Sequence, residues 1–295
     1  ELLKIAAEHE CNYLFEASVG GGIPIIRPLN YSLTAEKIEG IMGILNGTTN
    51  YILSKMEKEG ADFADVLKQA QDNGYAERNP EADVEGYDAC RKIAILSSLM
   101  MGKNVDSEKI YTEGITKITA EDFDYAKAAN KTIKLLGISK AVDDDTALTM
   151  VAPFMISKDS PLAMVNDVFN AVLVTGNMLG DSMYYGRGAG KLPTASAVVS
   201  DVVDCARHQG KTIMCFWDEE NVKLADVNDT QRAFFIRVKA DVTDKVEELF
   251  PGCERIEAEG HTEDAGYLIP AMTEKEFQAN SELLGDAMYN RIRLL

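Results

Sequence analysis

Three strand-length apolar runs, TALTMVAPFM (146–155), VFNAVLVT (168–175) and KTIMCFW (211–217), constrain this chain most. Each is too short for a core helix and is bounded by turn residues, so each reads as a strand. Strands need partners for their backbone groups and a covered face, which calls for a sheet with helices against it. The preceding segments supply those helices. KIEGIMGIL (37–45) reads as a strand, NGTTN (46–50) as a turn, and 51–58 as a helix continuing from it. A second helix covers 63–72. A longer one covers 84–101, with Ala89, Ile93, Leu96 and Met100 at helical spacing. Thr119 and Asp122 have the spacing of a capping box and open a helix over 120–136. Residues 25–217 therefore read as α+β: a mixed sheet with helices on one face.

The two ends differ from this core. LLKIAAEH (2–9) reads as the end of an amphipathic helix and NYLFEASV (12–19) as a buried strand. Glycines 20–22 follow, and then IPIIRPL as an extended segment. Residues 1–24 are too few for a domain and read as the tail of one, and the opening at Glu1 in mid-helix reads as a truncated start. The other end, 230–295, has its own order. It runs strand 232–240, helix 242–249, strand 254–258, strand 265–271, helix 274–284 and strand 287–294, with Thr273 and Glu276 as a second capping box. That is the βαββαβ order of a ferredoxin-like module. The acidic stretch DEENVKLADVND (218–229) is its expected linker. Such a module suits regulatory ligand binding or a packing and dimerisation role, and pattern alone does not separate the two.

Charge and composition exclude several functions. A net charge of −18 repels phosphate backbones and anionic membrane surfaces, so neither nucleic acid nor a membrane is expected as a partner. No apolar run approaches the roughly 20 residues of a membrane span. Five scattered cysteines without a CxxC pair argue against a zinc site or a disulfide framework. His9, His208 and His261 lie far apart, which makes a histidine-centred triad improbable. The composition, with no signal-peptide opening, fits the cytoplasm.

The chemistry concentrates in YAERNPEADVEGYDACRKIAIL (75–96). Asn79-Pro80 holds the approach to the helix extended. Asp88 and Lys92 are four apart, hence on one helix face. Glu77 and Asp83 lie in the loop leading in, so three carboxylates can converge with one ammonium. An acidic-then-basic pair at this spacing is most often an exposed ion pair worth about 0.3–0.5 kcal/mol. The accumulation of carboxylates just before a long apolar helix favours a site for a small zwitterion. Its ammonium would need carboxylates, and its carboxylate or hydroxyl a lysine.

FEASVGGGIPIIRPL (15–29), GILNGTTNYIL (43–53), GYAERNPEADVEGYDACRKIAIL (74–96) and YYGRGAGKLPTASAVVSD (184–201) resemble homoserine dehydrogenase segments, in order and at matching separations. The resemblance covers residues 1 to about 217. It implies that Glu77 and Asp88 bind homoserine, that Lys92 is the catalytic lysine, and that Asp83, Tyr75 and Thr48 line the same pocket. It also implies a sodium ion at the glycine loop, held by the Glu16 side chain and the main-chain oxygens of Val19, Gly21 and Ile23. Without the resemblance, that loop is simply a tight turn needing glycine. Gly188 and Gly190, before the helix of 193–208, would approach NAD(P), with the helix returning toward a nucleotide-binding domain of which 1–24 is the tail. A GxGxG alone is a weak signal.

By the same resemblance the enzyme interconverts L-homoserine and L-aspartate 4-semialdehyde in threonine, methionine and isoleucine biosynthesis, as a homodimer or higher homo-oligomer. The strand–GxGxxG–helix unit and a second lysine of the family are absent, so residues 1–295 alone are expected to be inactive. Residues 230–295 resemble an ACT domain, which implies an amino-acid effector. KADVTDKV departs from that pattern at the loop that binds the effector. Two other readings stay open: a dimerising amino-acid-sensing fragment without catalysis, and a related dehydrogenase acting on another amino acid or a sugar.

Overall fold

The computed structural model describes residues 2–295. In chain order its strands are β1 (Ile38–Ile44), β2 (Lys103–Asn104), β3 (Tyr111–Thr112), β4 (Lys131–Ala141), β5 (Thr146–Ser157), β6 (Phe169–Gly176) and β7 (Gly180–Arg187). Then come β8 (Asp218–Asn221), β9 (Lys223–Leu224), β10 (Gln231–Lys239), β11 (Glu254–Ile256), β12 (Asp264–Thr273) and β13 (Met288–Leu294). The helices are α1 (Leu2–Glu8), α2 (Gly47–Glu59), α3 (Phe63–Asp72), α4 (Glu81–Val84), α5 (Tyr87–Met101), α6 (Ala120–Ala128), α7 (Lys191–Arg207), α8 (Thr243–Leu249) and α9 (Glu274–Glu282).

One mixed sheet runs through the molecule in the order β11-β12-β10-β13-β5-β4-β1-β6-β7, with β3 and β9 also paired to β5. Its centre is the β4–β5 hairpin, paired antiparallel from Lys131↔Ser157 to Ala141↔Ala147. Helices α2, α5 and α6 cover one face, where Leu45, Ile52, Ile93, Leu96, Phe123, Leu135 and Val172 share a core. On the other face Leu136, Met150, Phe154 and Ile156 pack with Leu162, Val165 and Val227. The sheet is thus buried on both sides although the long helices lie on one, as expected. Beneath this second face Lys134 is fully buried and donates to the Val165 carbonyl (2.8 Å) and Asn166 Oδ1 (2.9 Å). Burial pushes its pKa down to about 8.

Several expected elements differ. Residues 12–19 form no strand; they contain a single helical turn, Glu16–Ser18. Nor is IPIIRPL extended, because the chain winds into a wide turn over Pro28–Ser32. The apolar side chains there are buried by loop packing rather than by a sheet. NGTTN is not a free turn: α2 begins at Gly47 and Asn46 is its N-cap. Helix α6 ends at Ala128, Asn130 turns the chain at φ 55°, and the rest of the expected helix is β4. TIKLLGI is apolar on both sides, which suits an interior strand better than an amphipathic helix. KTIMCFW is likewise not a strand; the pairing residues are the next four, β8, beside β2.

The last 65 residues fold as expected into βαββαβ, with the sheet order β11-β12-β10-β13. Residues 218–229 are not a loose tether, since β8 pairs with β2 and β9 with β5. Strand β13 runs parallel to β5 at Arg293↔Phe154 and Leu294↔Met155, which makes the sheet continuous. Fully buried Arg293 bonds both oxygens of Glu274 and donates to Glu113 (2.7 Å) across the same seam.

Candidate active site

The turn into α5 needs a glycine. Gly86 has φ 84°, and a side chain there would press on Thr112 and Val151. From this turn α5 buries Ala89, Ile93 and Leu96 against the sheet. Asp88 and Lys92 come to its edge beside the end of β1. Lys92 Nζ donates to Asp88 Oδ2 at 2.6 Å and to the Leu45 carbonyl at 3.0 Å. The side chains remain 20% and 31% exposed, open enough for a small solute to reach.

Asn46 ties this pair to Asp83. Its amide donates to Asp83 Oδ1 (2.7 Å) and Asp88 Oδ2 (2.9 Å), while its carbonyl oxygen accepts from Thr49 N (2.9 Å). One residue therefore caps α2 and bridges two carboxylates. The Asp88–Lys92 pair is a node in a network rather than an isolated surface pair. Thr48 Oγ1 donates to the Tyr75 carbonyl (2.8 Å), and the Tyr75 ring packs 4.9 Å from that of Tyr51. The main chain of Glu77 is held by Gln71 Nε2 (3.1 Å). Its exposed carboxylate has no partner among the described residues. The structure thus joins Lys92 to Asp88 directly and Asp83 to Asp88 through Asn46. Thr48, two residues on from Asn46, holds the Tyr75 main chain, whereas the Glu77 side chain makes no bond to this network. Asn46 was not singled out in the sequence; its place three residues before Thr49 at a helix start was the available signal.

The second group of residues lies around α7. Glu16 is buried, and its carboxylate accepts from the backbone N–H of Ile25 (2.7 Å), Ile26 (2.9 Å) and Arg27 (2.9 Å). Its own N–H donates to Asp201 of α7 (2.9 Å). A cavity of 20 Å³ lies behind it, lined by Arg27, Tyr31, Asp201 and Cys215, away from the Lys92 cluster. Burial pushes the Cys215 thiol up to about 11, which removes it as a nucleophile at neutral pH. Val19, Gly21 and Ile23 are buried in the same loop. Among the described residues no backbone N–H donates to their carbonyls. Gly22 N–H reaches the Arg187 carbonyl (3.2 Å), and a Cβ on Gly21 would stand 2.3 Å from Gly188 O. The two glycine loops are therefore in contact. Gly190 has φ 119° and starts α7. No group of three or more histidine, cysteine, aspartate or glutamate side chains fit to hold a metal occurs among the described residues.

The α+β fold thus gathers two carboxylates and one lysine at the edge of α5, and a glycine loop enters the second long helix, α7. Residues 24–203 match the family described as homoserine dehydrogenase. The chain is 56% identical over 207 residues to the homoserine dehydrogenase of Synechocystis, covering 69% of this chain and 48% of that protein. With the Bacillus subtilis enzyme it shares 44% over 247 residues, 82% of this chain and 57% of the other. The crystal structure of a homoserine dehydrogenase from Thiobacillus denitrificans superposes over 100% of this chain and 72% of its own. The TM-score is 0.88 and the identity 36%. A hyperthermophilic archaeal homoserine dehydrogenase in complex with NADPH matches 70% of this chain and 59% of its own, with a TM-score of 0.60 at 30% identity. The chain belongs to the homoserine dehydrogenase family. It spans about half the length of the curated relatives it matches.

Proposed function

We propose that the protein containing this chain interconverts L-homoserine and L-aspartate 4-semialdehyde with NAD(P). The observation that supports this most is the Asn46–Asp83–Asp88–Lys92 network. Lys92 has three N–H directions, and Asp88 and Leu45 engage two of them. The third is left for the substrate oxygen, so Lys92 moves the hydroxyl proton while Asp88 orients it. Glu77 and Asp83 receive the substrate ammonium, and Thr48 and Tyr75 shape the pocket around it. The dinucleotide supplies the hydride chemistry when bound. Gly188 and Gly190 suit close backbone approach to it at the start of α7. Leu192, Val198, Val199 and Val202 are exposed on that helix, which supports a nucleotide-binding domain packing there.

The cation reading fits the main chain better than the carboxylate. Three amides already occupy the Glu16 carboxylate, whereas the carbonyls of Val19, Gly21 and Ile23 are free to face a hard monovalent ion such as sodium. Glu16 then shapes the loop through Ile25 to Arg27. The β7 edge is open, with Met183 and Tyr185 exposed, which supports association of two chains there. The βαββαβ module, ACT-like in order, is the place for an amino-acid effector, and calorimetry with threonine tests it.

The deciding experiment is steady-state oxidation of L-homoserine by the complete protein with NAD and NADP. Homoserine-dependent turnover is expected, and no turnover, or equal turnover of unrelated amino alcohols, overturns the reading. Residues 1–295 contain no GxGxxG turn. By themselves they are expected to bind L-homoserine without comparable turnover.

A further inference from the structure

Among the described residues Asn170 alone has both polar side-chain atoms buried without a hydrogen-bond partner. It is 1% exposed, at the start of β6, and pairs with Gly186 across the sheet. The amide lies between the two halves of the site. A Cβ on Gly188 would stand 2.1 Å from its Cγ, so Gly188 lies flat against one face of the amide. A Cβ on Gly47, next to Asn46, would stand 3.5 Å from its Oδ1. Asn170 thus touches both the loop that enters α7 and the first residue of α2. A buried amide left with an unmet donor and an unmet acceptor is costly to a fold, and native proteins keep few of them.

The chemistry of those two atoms narrows the occupant. A carboxylate can satisfy only the amide N–H, and an ammonium only the carbonyl oxygen. A planar primary carboxamide offers one acceptor and one donor side by side and satisfies both. We propose that Asn170 reads the carboxamide of the nicotinamide ring. This rests on the dinucleotide-dependent reading above and deepens it. Contact requires the loop carrying Gly188, which follows β7, to slide off the amide, and glycines at 188 and 190 give that loop backbone freedom.

The test compares two dinucleotides on the complete protein: NADP and its 3-acetylpyridine analogue, in which a methyl ketone replaces the carboxamide. The analogue keeps the acceptor and loses the donor. The unsubstituted protein is expected to bind the carboxamide form about tenfold or more tightly, the scale of one lost hydrogen bond; the dissociation constant is the readout because the ketone is intrinsically the stronger hydride acceptor. In Asn170→Leu the preference should collapse, because NADP loses its partner while the analogue loses less. The dissociation constant for L-homoserine should change little. A residue that only supports the loop, or that only binds a buried water, would lower stability and leave the preference intact, and that result overturns the proposal. Absence of discrimination by the unsubstituted protein overturns it as well, without recourse to any variant. Failure of the complete protein to bind either dinucleotide would overturn the dehydrogenase reading too. Normal dinucleotide binding with an unchanged preference in Asn170→Leu overturns only the role of Asn170.

Discussion

At the scale of the residue, the proposed roles separate proton transfer from substrate binding. Lys92 is the group with a free direction toward a substrate oxygen, so Lys92→Ala should lower kcat by about 10²–10⁴-fold, the scale of a positioned acid–base group. The homoserine KM should move less, because Glu77 and Asp83 remain. Glu77→Ala should show the opposite emphasis, a raised KM with kcat better preserved. Asp88→Asn should fall between, since Asp88 Oδ2 accepts from both Lys92 and Asn46. Steady-state kinetics on the complete protein with melting curves as folding controls decides this. A folded Lys92→Ala with near-normal kcat would reduce the pair to a structural one. Asp88 and Lys92 were legible in the sequence because both lie on one helix, four apart. Asn46 was not, because its carboxylate partners are 37 and 42 residues away and only the fold brings them together.

At the scale of the element, the same asparagine shows why a local reading goes wrong. NGTTN has turn composition, yet Asn46 has extended backbone angles and caps a 13-residue helix starting at its neighbour. The capping boxes at Thr119 and Thr273 were legible because their signals are contained in four residues. The end of α6 was not, since whether TIKLLGI is helix or strand depends on β1 and β5 lying on either side of it. The dual role of Asn46 makes a separable prediction. Asn46→Ala should cost about 1 kcal/mol from the lost cap, a few degrees in Tm. It should also raise the homoserine KM, because Asp83 and Asp88 lose their shared donor. Asn46→Ser keeps a capping oxygen but cannot reach both carboxylates, so Tm should recover while KM stays high. If Ser restores both, the amide is a cap and nothing more.

At the scale of the whole molecule, the order of the last module was legible because each element alternates on its own short period, but its attachment was not. An acidic stretch reads as a tether until β8 and β9 find partners in the core. Among the strand pairings, that of β13 with β5 joins the residues most distant in sequence. Polar groups reinforce this seam. Buried Arg237 of β10 bonds Asp122 of α6 (2.9 Å), Thr119 (3.0 Å) and Asp264 of β12 (3.1 Å). Beside it His261 lies between Asp264 (2.9 Å) and Asp124 of α6 (3.1 Å), with its ring 4.9 Å from that of Tyr125. Burial opposes a charged imidazole, but the hydrogen bonds to Asp124 and Asp264 and their charges outweigh it and hold the pKa above 6.5. For Asp264 burial is likewise outweighed, by His261 and Arg237, and its pKa falls below 3.8. A raised histidine pKa means that the folded state holds the proton more tightly. The His261 contribution is therefore complete below pH 6.5 and is lost as pH rises through the folded pKa. The Asp264 contribution is complete above 3.8 and is lost only as pH falls through its lowered value. The seam should be firmest between these limits and loosen above neutrality. Lys134 acts in the opposite sense toward higher pH, because its pKa is depressed to about 8 and the unfolded chain binds more protons there. The informative quantity is accordingly the difference in Tm between the unsubstituted chain and His261→Gln, measured from pH 5 to 9. That difference should be largest at pH 5–6 and shrink as pH rises. A difference that is constant with pH, or that grows above pH 7, would show that His261 packs at the seam without titrating there.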